Sequence, residues 1–389
     1  MSVIRITVEP AILQWVLRLA QEQHKDSELI EQINSWIAGE QQPTFNQLEN
    51  LGRKTHVPFG YFFLKKPPVE KCDIVDYRTI DSLAVVKPSR ELLDTIDTMT
   101  TAQEWMVEYN QDRGMGPNPF VGRAGKRRDT DTVVDDIRSA LDLGEDWFRI
   151  YRNADAAFKT LRARITDLGI LVMMNGVVGN NTHRKLSTNE FRAFTLIDPY
   201  APLIFINSAD SSNGRLFSLL HELVHVWRGK NSFYNDEFGT SMPEGKEEQF
   251  CNAVAAEILV PSQLFMARWN ELSGTTEERI AELHKYFVCS SFVLLRRGLD
   301  CNILSKEEYA GLVRLFEKRF RETQKSGGQR SGGDFYSTLR SRWDPNFVKA
   351  LSSSAENGKT QYRDAYLMTN TTGKTFAALA EAVGGYEVG

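Results

Sequence analysis

His221-Glu222-Leu223-Val224-His225 constrains this chain more than any other stretch. Four residues make roughly one helical turn, so on a helix both imidazoles face the same way and can hold one metal ion. Glu222, next to the first histidine, is then placed to take a proton from a water activated by that metal. This is the pattern of a zinc hydrolase. The neighbouring residues predict the helix it needs: Leu216, Leu219, Leu220, Leu223 and Trp227 recur at spacings of three and four, an apolar face that anchors the histidines in a core, and Gly229 supplies a stop. The plainer alternative is a buried helix whose two histidines only hydrogen-bond.

Catalytic zinc takes a third protein ligand and leaves its fourth position to water. Glu248 meets that need from the run 248–261, which is rich in small residues that permit close helix packing and ends at Pro261. Asn252 lies one turn further on the same face, where its amide can orient a ligating histidine from behind. Glu247 competes for the ligand role, one residue and about a hundred degrees of rotation away. The reading favours Glu248 because only it shares a face with Asn252. Glu247, if not a ligand, and Glu257 read as solvated helix carboxylates.

Together, the segment from His221 to His225, the spacing Glu248-x-x-x-Asn252 and the Ala-Ala-x-Ile-Leu-Val-Pro ending resemble the ImmA/IrrE zinc metallo-endopeptidases. The resemblance implies zinc held by His221, His225 and Glu248, with Glu222 as catalytic base. It also implies an α+β, zincin-like core in which a small sheet packs on the motif helix. Two positions depart from the family: Cys251 stands where alanine is common and Val254 where phenylalanine is common, and neither bears chemistry. Residues 190–194 and 198–207 resemble the sheet that precedes the motif helix in longer members, with Leu203 to Ile206 reading as a buried strand. Gly333-Asp334-Phe335-Tyr336 and the tail from Trp343 resemble a C-terminal helical extension. By resemblance the substrate is a specific regulatory protein of repressor or antitoxin type, cut in a stress, phage or mobile-element response.

At 389 residues the chain is too long for one compact core. The boundaries expected are a helical bundle at 1–68, a helical connector at 69–148, a metallopeptidase domain at 149–322 and a helical extension at 323–389. The formal net charge of -4 offers no general attraction to phosphate or anionic lipid. Cys72, Cys251, Cys289 and Cys301 are scattered without ligand spacing and read as buried or free thiols. No stretch approaches the roughly twenty apolar residues of a membrane span, and a cytoplasmic location with no membrane partner is expected.

Within the first bundle, helices are predicted from Pro10 through Leu19, over Ser27 to Ala38 and over Phe45 to Lys54. The run 35–44, Leu48-Glu49-Asn50-Leu51 and the ending 57–63 resemble the helix-turn-helix domain of phage-repressor-type (XRE-like) regulators. The match is damaged, because residues 15–27 are too few for the full scaffold helix and turn, and Glu28 and Glu31 fall on the would-be recognition helix, where they repel phosphate. Through Lys66, seven basic residues (Arg5, Arg18, Lys25, Arg53, Lys54, Lys65, Lys66) meet seven acids (Glu9, Glu22, Asp26, Glu28, Glu31, Glu40, Glu49). Without a basic footprint, docking a protein is favoured over binding DNA.

The connector predicts one long helix from Arg90 to Gly114 and a loop at 117–128 whose basic cluster is read as neutralised by Asp129, Asp131, Asp135 and Asp136. A helix over Thr132 to Leu141 follows, then a helix over Ala154 to Leu168 that leads into a strand from Gly169 to Met174. His284 and Tyr286 are candidates to stabilise an oxyanion, with core or surface roles the plainer reading. Residues 327–333 read as a flexible break. Two other functions fit the same residues: a DNA-binding regulator or antitoxin component of a toxin–antitoxin module with secondary or no peptidase activity, and a metal-dependent hydrolase of a non-peptide substrate.

Overall fold

The computed structural model describes residues 5–22, 25–68, 88–127, 129–235, 245–326 and 335–384. The break read at 327–333, Cys72, Arg128, Gly333 and Asp334 lie outside the described residues. The chain divides into two compact units, Met1–Asp73 and Ile74–Gly389.

The first unit holds helices α1 (Pro10–Glu22), α2 (Ser27–Ile37) and α3 (Phe45–Thr55), followed by a 3-10 turn at Phe59–Phe63. Local chemistry sets the boundaries. Asp26 accepts from the Leu29 amide at 2.8 Å to start α2, Thr44 and Gln47 form a reciprocal cap on α3, and His56 ends it in the left-handed region at φ 58°. Ile12, Val16, Ile33, Leu48 and Phe62 fill the centre, while Glu28 and Glu31 stay on the exposed side of α2.

In the second unit, α4 (Arg90–Asp112), α5 (Thr130–Ala140) and α6 (Ala154–Asp167) precede β1 (Leu171–Asn175). The strand predicted from Gly169 starts two residues later, because Gly169, at φ 75°, closes α6 through a bond to the Thr166 carbonyl. A hairpin of β2 (Val177–Val178) and β3 (Asn181–Lys185) follows, then β4 (Ala193–Leu196), β5 (Leu203–Asn207), α7 (Ser212–Arg228) and β6 (Ser232–Tyr234). The sheet runs β1-β5-β4-β6, with β1 parallel to β5 and the other pairs antiparallel. Its register sorts the side chains. Val172, Met174, Ala193, Ile204 and Ile206 join the core with α7, and on the opposite face Phe194 stacks on Phe205 at 4.9 Å beside Phe191 and Phe233. The mixed α+β architecture, a small sheet among many helices, follows from this two-sided burial.

After β6 come α8 (Lys246–Leu259), α9 (Ser262–Glu271), α10 (Thr276–Tyr286), α11 (Ser291–Asp300) and α12 (Lys306–Ser326), then α13 (Phe335–Arg342), α14 (Pro345–Glu356), α15 (Tyr362–Thr369) and α16 (Gly373–Gly384). Asp344 joins this tail to β1. Its carboxylate starts α14 by accepting from the Asn346 amide and also accepts from Thr166 Oγ1 at 2.6 Å and from the Val172 amide at 3.0 Å. Arg162 donates to the carbonyls of Val172, Ser341 and Trp343 in the same place. Complete burial pushes the Asp344 carboxyl up, and the bonds from Thr166 and Val172 and the charge of Arg162 oppose that only in part. On another side of the sheet, Gln103 of α4 donates to the carbonyls of Leu196 and Ala201, each at 2.8 Å. No single described helix is long and apolar enough to cross a membrane.

Candidate metal centre

Helix α7 carries the motif, and its apolar face is buried as its periodicity requires: Leu216, Leu219, Leu220, Leu223 and Trp227 are inaccessible. Both ends are held. Ser211 caps the first turn through the Gly214 amide, and Gly229 closes the last at φ 66°, with a hypothetical Cβ only 3.0 Å from Gly122 Cα. The loop around Gly122 finishes the job. The amides of Gly122 and Ala124 donate to the carbonyls of Val226 and Trp227 at 2.9 and 2.8 Å, filling acceptors a helix end leaves open. Arg123 pairs with Asp136 at 2.7 Å, so part of the basic cluster is neutralised as read, and its loop also caps the motif helix.

His221 and His225 are buried, and their Nε2 atoms lie 3.1 Å apart. Glu248 reaches in from α8, with Oε2 3.1 Å from His221 Nε2 and Oε1 3.2 Å from His225 Nε2, while its own side chain stays 36% exposed. Zinc with bonds of about 2.0–2.1 Å spans edges of roughly 3.3 Å between its ligand atoms, close to these separations. One ligand atom from each of the three lies within 4.8 Å of the others. Asn252 Oδ1 sits 2.7 Å from His221 Nδ1, which makes that nitrogen the donor and turns the Nε2 lone pair toward the cluster. The Tyr234 ring packs on His221 at 4.2 Å. Three electron-pair donors converging in a largely dry place call for a cation, and the donor set of two imidazoles and a carboxylate fits zinc.

The electrostatics agree. Burial alone would push both imidazoles down, but the hydrogen bonds and charge of Glu248 outweigh it and raise both. Burial likewise pushes Glu248 up, and the two histidines more than reverse this, leaving it well below the carboxylate range. Burial pushes the Cys251 thiol up, so it acts as a neutral filler in α8.

Glu247 takes the other direction. Arg228, at the end of α7, donates through Nε and at 3.0 Å through Nη2 to its carboxylate, and Lys230 adds a contact at 3.1 Å. It is an ion-paired link between α7 and α8 and not the solvated carboxylate expected. Glu257 also departs from that expectation: it accepts from the Ser262 amide at 2.8 Å and pairs with Arg297 at 3.0 Å, because the turn into α9 needs a cap. His284 Nδ1 lies 2.7 Å from the Cys289 carbonyl and Tyr286 receives Arg268, so neither joins the cluster.

Glu222 lies on the sheet side of α7, wholly buried. Its Oε2 accepts from Thr195 Oγ1 at 2.5 Å and from Ser232 Oγ, and its Oε1 has no hydrogen-bond partner among the described residues. Neither hydroxyl was singled out in the sequence, because both reach Glu222 through strand pairing and no local pattern marks them.

Residues 165–297 match the family model of the IrrE N-terminal-like domain (Peptidase_M78), a span that holds the sheet, α7 and α8. The match supports a place in the ImmA/IrrE family and a metallopeptidase-family function. Residues 343–382, starting at the Trp343–Asp344 joint, match a domain of unknown function (DUF8813). Among curated proteins none matches the chain.

Proposed function

We propose that the chain is a zinc-dependent endopeptidase that cuts a specific regulatory protein, of repressor or antitoxin type, in a stress, phage or mobile-element response. The observation that carries this reading is the convergence of His221, His225 and Glu248, with Asn252 fixing the tautomer of His221. The two histidines would hold zinc through Nε2 and Glu248 through its carboxylate. Zinc supplies a Lewis acid that makes water acidic near neutral pH and polarises the scissile carbonyl.

Glu222 then moves the proton. Its Oε1 takes one hydrogen of the water as the water oxygen bonds to the carbonyl carbon, and hands it to the amide nitrogen as the carbon–nitrogen bond breaks. Burial of Glu222 keeps competing water from that oxygen. The test is one variant in the full chain. Glu222→Gln should keep about one zinc per chain and lose turnover, and used as bait it should retain the uncut partner in a pull-down. Cleavage of the captured partner by Glu222→Gln would refute the role.

The N-terminal bundle is assigned to partner docking. Its acids and bases balance, and Glu28 and Glu31 stand exposed on α2 where a DNA reader would need neutral or basic groups.

A further inference from the structure

The face of the sheet turned to α7 is apolar along β1 and β5, with Val172, Met174, Ile204 and Ile206. Two hydroxyls interrupt it. Thr195 on β4 and Ser232 on β6 are direct cross-strand partners, so their side chains stand side by side on one face. Both are buried, and both meet the same oxygen, Glu222 Oε2. A strand position buried against a helix ordinarily takes Val or Ile, and a hydroxyl there costs free energy unless it finds an acceptor. These two find one carboxylate oxygen and leave the other without a partner among the described residues.

We propose that Thr195 and Ser232 are the positioning residues of Glu222. Each hydroxyl has one proton to give, and both protons go to Oε2. That oxygen is saturated, the carboxylate plane is fixed, and the basic lone pairs that remain are on Oε1. The pair thus selects which oxygen acts and stops the side chain from turning, as an imidazole's tautomer is set by what holds its far nitrogen. Rigid strands carry both hydroxyls, and the register of β4 with β6 keeps them together. The inference rests on the reading of Glu222 as base.

Infrared spectra of full-length protein with labelled glutamate carboxyls, taken as the difference between wild type and Glu222→Gln, isolate the Glu222 carboxylate band. Zinc alone is the probe. In wild type the band should shift on zinc loading, as Oε1 gains a partner. Thr195→Val and Ser232→Ala should alter the zinc-free band and abolish its zinc response with zinc content unchanged, and Thr195→Ser should restore both. A wild-type band and zinc response preserved in Thr195→Val and in Ser232→Ala would overturn the positioning role. A wild-type band indifferent to zinc would instead sink the base reading on which it rests. Ser232→Ala, the smaller change, serves if Thr195→Val does not fold. With the captured partner as substrate, Thr195→Val should lower kcat about ten- to a hundredfold at constant KM, and a change in KM alone would count against positioning.

Discussion

Arg228 and Asn252 decide between them which glutamate of α8 faces the histidines. Arg228 draws Glu247 toward the end of α7, and Asn252 reaches His221 one turn beyond Glu248. His221→Ala, His225→Ala and Glu248→Ala should each lose zinc, while Glu247→Ala keeps it, as elemental analysis of the purified variants can show; full metal in Glu248→Ala would move the ligand elsewhere. Asn252→Ala should weaken zinc affinity roughly ten- to a hundredfold, measured by competition with a chelator. The Arg228 guanidinium, opposed by burial and helped by Lys230, holds the Glu247 carboxyl down to about 2 from an ordinary 4.5. A carboxyl lowered on folding stabilises above its unfolded value and loses that contribution as pH falls toward the folded one. In metal-free protein, the stability advantage of wild type over Glu247→Gln in urea unfolding should be full above pH 4.5 and shrink toward pH 2. An advantage that grows on acidification would contradict the ion pair.

At the scale of elements, the ends of α7 matter as much as its motif. A helix whose two ends are fixed presents His221 and His225 at one place relative to α8, and the Gly122 loop with Gly229 makes the C-terminal end. Gly229→Ala puts a Cβ on a left-handed residue and against Gly122, and should cost about 1–2 kcal/mol or more in thermal unfolding. No loss of stability would mean that the loop is not a cap. Much of this level was legible in the sequence: the apolar spacing of α7, the stop at Gly229 and the buried run of β5 are local signals. The partners of Glu247, Glu257 and Glu222 were not, since Arg228, Arg297, Thr195 and Ser232 meet them only after helices and strands have packed.

Across the whole molecule, the three candidate metal ligands all belong to the second unit, and the first has its own core. A chain starting at Ile74 should bind zinc as the full chain does and lose its physiological partner; loss of zinc would show that the site needs the first unit. If the isolated bundle binds a defined DNA sequence with a steep salt dependence, the docking assignment fails and the transcription-regulator reading moves ahead. The tail behaves differently. Asp344 and Arg162 tie α13 and α14 to β1, so deleting residues 335–389 takes two of the three carbonyls that Arg162 donates to and the acceptor of the Val172 amide, and should destabilise the sheet, read as a lower melting temperature.

By itself the sequence determined what one turn of chain can determine. Four residues of helix bring His221 and His225 to one side, and the next carboxylate-bearing helix offers Glu248 with Asn252 behind it. Only the tertiary structure decided which neighbour each remaining group meets: Glu247 with Arg228, Glu222 with a hydroxyl pair from strands on either side of it in sequence, Asp344 with β1 far before it. The reason is physical. Helical periodicity is written in adjacent residues, whereas strand register and helix docking follow from burying many faces at once, and no single segment encodes them.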